Sequence, residues 1–427
     1  MLVPVEQLRG RSRHAVSRGS GRVLAVWETV QTVGYSPTGW ADENMARVDI
    51  RPELVRWARE RARLPAEALT KRFSKLAEWE SGAAKPTLRQ LEEFANATAT
   101  PLGYLFLPEP PEEALPIPDF RTLADRPIGR PSPNLLDTVF EMQRRQAWLR
   151  EERIEEGAGP LPFVGSVTPD AAPAKIATAM RRALGVSAGW ADVQSTWSDA
   201  LRGLRHRIEA VGIIVVVNGV VGNNNYRKLD PEEFRGFVLT DEYAPLIFLN
   251  GADGRAAQMF TLAHELAHLW IGQAAVFNLR DMQPAPDRTE RFCNAAAAEF
   301  LIPEVELRKA WEEAGDSAGR FQLLARRFKV SELVAARRAL DVRLITREAF
   351  FSFYKQYSED ERRRSATQSG GNFYATQNSR IGRSFAEAVV RAVREGRLLY
   401  RDAFDLTGLR GATFDRYIAS LESSTGQ

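Results

Sequence analysis

Two histidines four residues apart, with a glutamate beside the first, are the side chains of this 427-residue chain best spaced for chemistry. They lie in the run FTLAHELAHLW, from Phe260 to Trp270, as His264, Glu265 and His268. At 3.6 residues per turn, positions i and i+4 share one helix face, so both imidazoles can reach one ion. Glu265 then faces the open side of that ion, where it can take a proton from a water that the metal has acidified. The remaining positions of the run, Leu262, Ala263, Leu266, Ala267 and Leu269, are apolar and predict a buried, rigid support. The chain has four histidines, and two of them stand here with the required glutamate. Unpaired imidazoles and a carboxylate on an apolar helix would be costly without such a use.

A zinc ion in this setting needs a third protein ligand, its fourth position being left open. The run TERFCNAAAAEFLIP from Thr289 supplies candidates. Glu290 and Asn294 are i and i+4 on one face, so Glu290 can bind the ion while Asn294 hydrogen-bonds a ligand histidine and fixes its tautomer. Glu299 is the alternative third ligand; its position near Pro303 fits a solvated or cap-side charge better. Cys293 points about 60° off the Glu290–Asn294 stripe and reads as a small buried thiol in an Ala-rich helix. As the chain's one cysteine it excludes an intramolecular disulfide and fits a reducing cytoplasm.

The elements that would position these residues can be read from periodicity. No run of about 18 apolar residues occurs, so no membrane span or membrane partner is expected. A net charge of +3, from 58 basic and 55 acidic residues, neither demands nor excludes nucleic acid. Residues 1–44 lack a sustained period and read as a disordered leader. From 45 to 107, apolar residues recur at helical spacing (Leu54, Trp57, Ala58; Leu69, Phe73, Leu76, Trp79; Leu88, Leu91, Phe94), giving a bundle of short helices. Eight of the 23 prolines fall in 108–133 and predict an extended linker. The main domain is assigned to 134–345, with helices over Leu135–Glu155, Asp170–Leu184 and Trp190–Val211. A strand is expected at Ile213–Val217, and a hairpin from Phe237–Leu239 and Leu246–Leu249, before mostly helical chain. Residues 346–427 form a helical C-terminal region, polar and loose over 358–379. The expected fold class is therefore mainly α with a small β-sheet.

In the N-terminal bundle, the stretch from Leu64 to Gly82 followed by Lys85 to Leu91 reads as two short helices and a tight turn. Such a pair can set its second helix in a DNA major groove, with Lys71, Arg72, Lys75, Lys85 and Arg89 meeting phosphates or bases. Against this, residues 45–107 hold eleven basic and eight acidic side chains, and Glu78 and Glu80 stand on the second helix. A docking bundle is the competing reading. The helix–Gly–helix tail around Gly408 reads as packing first and binding second.

Together these motifs resemble a known architecture. FTLAHELAHLW from Phe260, with ERFCNAAAAEFLIP from Glu290, resembles the ImmA/IrrE family of metallopeptidases. The segment from Trp57, with LAEWESG and KPTL, resembles a Cro/repressor-type (XRE) helix-turn-helix, although the span from Pro65 to Trp79 is about four residues short of that pattern. The resemblance implies a cytoplasmic, gluzincin-like zinc peptidase that cleaves a transcriptional repressor under stress or DNA damage. It assigns His264 and His268 as metal ligands, Glu265 as general base and Glu290 as third ligand, with one zinc ion as cofactor. It also implies possible DNA contact through the first domain. The alternatives are a DNA-binding regulator, or a repressor-docking protein, whose zinc site does not catalyse.

Overall fold

The computed structural model describes residues 46–117, 130–277, 288–315, 317, 319–359 and 373–425. The expected leader, 1–44, lies outside the described residues. The chain divides into two compact units, 1–112 and 113–427.

The first unit is all helical: α1 (Pro52–Arg61), α2 (Ala66–Thr70), α3 (Leu76–Ser81), α4 (Leu88–Ala97) and a 3-10 turn (Leu102–Phe106). Its core is the apolar set read from the sequence except Leu88, which is exposed at the start of α4, with Leu54, Trp57, Leu76, Trp79, Leu91 and Phe94 buried. Phe73, Trp79 and Phe94 meet at ring-centroid distances of 5.6 to 6.3 Å. Helix α3 ends at Gly82, in the left-handed conformation that a glycine adopts without strain. Helix α4 starts on a capping box between Thr87 and Gln90. Glu80 departs from expectation. Rather than facing outward, it takes a two-point ion pair from Arg59, with Nε–Oε1 2.6 Å and Nη2–Oε2 3.2 Å.

The second unit is built on a four-stranded sheet in the order β1-β5-β4-β6. Strand β1 (Ile214–Asn218) runs parallel to β5 (Leu246–Asn250). The expected hairpin is present as β4 (Gly236–Leu239) paired antiparallel with β5, Phe237 opposite Phe248. Strand β6 (Ala275–Phe277), which the sequence reading passed over as helical chain, covers the other side of β4. A separate ribbon joins β2 (Val220–Val221) to β3 (Asn224–Lys228).

Each strand's alternation sends residues to opposite faces. Ile213, Val215, Val217, Val238, Ile247 and Leu249 enter one core. That core also holds α6 (Pro173–Leu184), α7 (Trp197–Ala210), α8 (Arg255–Ile271) and α9 (Arg288–Leu301), and continues into α10 (Glu304–Ala314), α11 (Arg320–Phe328) and α12 (Glu332–Asp341). Ile214, Val216, Phe237, Leu246 and Phe248 enter the other, beside α5 (Pro133–Glu155), α15 (Arg383–Arg394), α16 (Tyr400–Thr407) and α17 (Ala412–Thr425). Both faces are covered, so β1 and β5 can be apolar at every position up to their terminal asparagines, Asn218 and Asn250.

Two expectations change in this unit. Part of the stretch read as loose, from Phe373, forms helix α14 (Phe373–Ile381), which follows α13 (Arg347–Glu359). Residues 360–372 lie outside the described set. The proline-rich stretch carries no helix or strand over 108–117, yet Ile117 is buried and Leu115 packs with it against the second core.

The C-terminal helices are fastened by Arg145 of α5. Its Nε donates to Leu406 O and its Nη1 to Arg380 O, both at 2.9 Å, while Nη2 meets Glu141 at 2.6 Å. The guanidinium is buried, which lowers its pKa despite Glu141.

Candidate metal centre

Helix α8 is unusual in being buried along nearly its whole length, from Gln258 to Ile271. The sheet lies on one side and α6, α7 and α9 on the others. The helix ends at Gly272, whose N–H donates to His268 O at 2.9 Å. A Cβ at Gly272 would come within 2.9 Å of Gly165 Cα, so the backbones touch where the helix stops. Phe163 stacks on Trp270 at 4.6 Å and seals that end.

His264, Glu265 and His268 are fully enclosed, and α9 brings Glu290 against them. His264 Nε2 lies 3.1 Å from His268 Nε2 and 3.2 Å from Glu290 Oε2. His268 Nε2 lies 3.0 Å from Glu290 Oε1. One ligand atom from each of the three residues therefore falls within 4.8 Å of the others. Asn294, one turn after Glu290, places its Oδ1 at 3.0 Å from His264 Nδ1. A carboxamide oxygen only accepts, so the Nδ1–H donates to it and Nε2 is left aimed at Glu290 and His268. This is the orienting contact the spacing predicts for Asn294.

The donor set fits a zinc ion. Two imidazole nitrogens and a carboxylate are zinc ligands, and bonds of about 2.0–2.1 Å in a tetrahedron put neighbouring donors roughly 3.3 Å apart. The separations here, 3.0 to 3.2 Å, are close to that edge. Burial pushes Glu290 up, but the charge and hydrogen bonds of His264 and then His268 outweigh it and hold the carboxyl well below the usual range.

Glu265 is the second telling group. Both carboxylate oxygens are buried, and neither has a hydrogen-bond partner among the described residues. Burial, and then the charge of Glu290, push its carboxyl well above the ordinary value. Gly236 of β4 leaves the space beside it: a Cβ there would lie 2.6 Å from Thr261 Cγ2, 2.8 Å from Phe248 O and 3.4 Å from Glu265 Oε1. Sequence reasoning missed Gly236, since a lone glycine before an apolar strand carries no signal of what it approaches.

Residues 220–340 match the IrrE N-terminal-like domain, a peptidase family (Peptidase_M78). The stretch matched to this peptidase family runs from β2 to α12 and includes His264, Glu265, His268, Glu290 and Asn294. It excludes β1, though β1 forms part of the same sheet. Residues 381–420 match a domain of unknown function (DUF8813) covering α15, α16 and part of α17. No curated protein matches the chain.

The other candidates lie elsewhere. Glu299 turns away from the cluster, ion-pairs with Arg338 of α12 and accepts from Glu304 N at 3.3 Å. It therefore joins the start of α10 to the last turn of α12, the cap-side role expected of it. Cys293 is enclosed in the first core. In the first unit Lys71, Arg72 and Lys75 are exposed about the turn between α2 and α3. Lys85 pairs with Asp49 at 3.1 Å and Arg89 with Glu93 at 3.2 Å. No described helix is long and apolar enough to cross a membrane.

Proposed function

We propose that the chain is a cytoplasmic, zinc-dependent endopeptidase that makes limited cuts in a transcriptional repressor or related regulator. The observation behind this reading is a buried His264–His268–Glu290 donor set beside a carboxylate, Glu265, that has no hydrogen-bond partner among the described residues, inside a stretch matched to a peptidase family. His264, His268 and Glu290 would hold one zinc ion. That ion supplies Lewis acidity, polarising the scissile carbonyl and acidifying the attacking water. Glu265 takes the water's proton and passes it to the departing amine. An enclosure that raises its carboxyl makes it a stronger proton acceptor than an exposed glutamate. Asn294 keeps His264 in the tautomer that offers Nε2. Gly236 keeps side-chain bulk away from Glu265.

The β4–β5 hairpin precedes the metal helix and is one place where an extended substrate could be laid out. Strand β4, however, has β5 on one side and β6 on the other, so an extended peptide cannot pair with it. The outer edge of β6, at the end of the sheet, is where a substrate strand would add.

A second reading rests on the exposed Lys71, Arg72 and Lys75 at the α2–α3 turn. It makes the first unit a helix-turn-helix DNA reader and the zinc site non-catalytic. Helix α3, six residues long, offers a short recognition surface.

One experiment separates the two. The protein and its Glu265→Gln variant are purified, assayed for zinc, and incubated with repressors encoded near the gene. One zinc per chain in both, with fragments from the wild type alone, is the expected outcome. Cleavage by Glu265→Gln would overturn the mechanism. Full zinc, no fragments, and promoter binding equal in both proteins would favour the DNA reader.

A further inference from the structure

A cavity of about 340 Å³ lies away from the metal cluster, among α7, the first residue of α8 and the turn from α14 to α15. Four arginines line it, Arg202, Arg205, Arg255 and Arg383, against a single carboxylate, Glu209. Arg202 ion-pairs with Asp199, and Arg383 Nε meets Glu387 at 2.8 Å. The other two arginines have neutral partners. Arg255 Nη1 donates to Gln258 Oε1 at 2.9 Å, and Arg205 Nη1 donates to Ser379 Oγ at 3.1 Å. Arg205 Nε is buried and has no acceptor among the described residues.

Glu209 offers little compensation. One of its oxygens accepts from the backbone N–H of Arg383 at 3.0 Å. Burial pushes its carboxyl up, against the pull of Arg205. Burial lowers Arg205, with the charge of Glu209 opposing it and that of Arg255 adding to it. His206, also in the lining, is pushed down by burial and then by Arg205, Arg383 and Arg202. Crowded guanidinium groups facing a common space repel one another unless an anion lies between them. Their planar forks suit tetrahedral oxyanions, which accept from several directions at once.

The geometry points to a binding site for a small phosphate ester, the phosphate held by Arg205, Arg255 and Arg383. The volume exceeds what a bare phosphate fills and lies at the lower end of ligand pockets, about 300–1,000 Å³. No phenylalanine, tyrosine or tryptophan lines it, so it offers no large aromatic platform for a nucleobase. The body carrying the phosphate is therefore small and polar. The location gives the ligand a structural consequence. It would touch α7, the start of the helix bearing His264, and the junction where the segment matched to a domain of unknown function begins. Arg255 precedes His264 by nine residues, about 13 Å along α8. None of this depends on whether the histidines bind zinc.

The test is calorimetric titration of the full-length, zinc-loaded protein with glycerol 3-phosphate, inorganic phosphate, glycerol and a single-stranded DNA oligonucleotide. Arg255→Ala and Arg255→Ala/Arg383→Ala are titrated alongside, with circular dichroism to verify folding. Both arginines stand at the accessible part of the cavity, and the single variant covers any failure of the double one to fold. Expected are saturable binding of the ester, none of glycerol, and an affinity at least about tenfold weaker in the variants. Equal binding of inorganic phosphate would support the site and assign it to free phosphate. No binding of either phosphate probe at about 10 mM, binding undiminished in the variants, or binding of the oligonucleotide alone would overturn the proposal.

Discussion

The two units use polar residues in opposite ways. In the first unit the core is aliphatic and aromatic, one charged side chain, Arg61, is buried with its Nη1 on Ala99 O, and several others are neutralised outside it: Glu80 by Arg59, Lys85 by Asp49 and Arg89 by Glu93. In the second unit, helices α8 and α9 carry two imidazoles and two carboxylates into a space with almost no solvent. Surface charge costs little and commits a protein to little. Enclosed charge is expensive, and persists when something compensates it. The comparison therefore assigns the chemistry to the second unit, on physical grounds that do not depend on any motif.

The contrast can be tested from its largest consequence downward. His268→Ala or Glu290→Ala should abolish stoichiometric zinc, measured by metal analysis, while any single lysine change in the first unit leaves it intact. If either variant keeps one zinc per chain, the enclosed cluster is not the metal centre. Trp79→Ala, which opens the aromatic core of the first unit, should cost about 3–5 kcal/mol and melt that unit. Zinc content should not change, so calorimetry with metal analysis would show whether the units fail separately. Asn294→Ala leaves the His264 Nδ1–H without its acceptor and should weaken zinc binding about 10- to 100-fold, read by chelator competition.

Glu265→Gln sharpens the comparison through pH. The folded-state pKa of Glu265 is raised above its unfolded value, so the folded protein holds the proton more tightly. Its contribution to stability is present at acid pH. It falls as pH rises from the ordinary carboxylate range towards the raised value. In chelator-treated protein the glutamine variant should thus be about 1–3 kcal/mol more stable than wild type at neutral pH, and little different near the acid limit, by denaturant melts. Equal stability at both would mean Glu265 ionises freely. The smallest effect belongs to the first unit: Lys85→Ala, which breaks an exposed pair, should change stability by less than about 1 kcal/mol.

The same division explains what the sequence disclosed. HExxH on an apolar helix, and Glu290 with Asn294 at i and i+4, are local patterns that α8 and α9 preserve, so those five residues could be seen to meet before any fold was known. The β4–β5 hairpin was legible for the same reason. Strand β6 was not: three residues after a long helix give no period to read, and its pairing with β4 is a tertiary fact. Gly236 acquires its meaning from Thr261 and Glu265, 25 and 29 residues on. The fate of Glu80 depended on Arg59, 21 residues away, and the helix from Phe373 ends on Ile381, which is buried in the second core. The arginine cavity draws on three distant segments, and none of them carries a recognisable pattern alone.

The clasp made by Arg145 has a consequence for how such a chain could be shortened or recombined. A gene trimmed to the matched peptidase-family stretch would lose β1, α5 and every helix after α12. It would leave Phe237 and Phe248 with no covering layer. A chain ending instead at residue 345 would keep the enclosed guanidinium of Arg145 but remove two of the carbonyls it serves. The unit of inheritance suggested by sequence matching is thus smaller than the unit that can fold. Recombination that preserves this protein has to carry the clasp and its distant carbonyls across together.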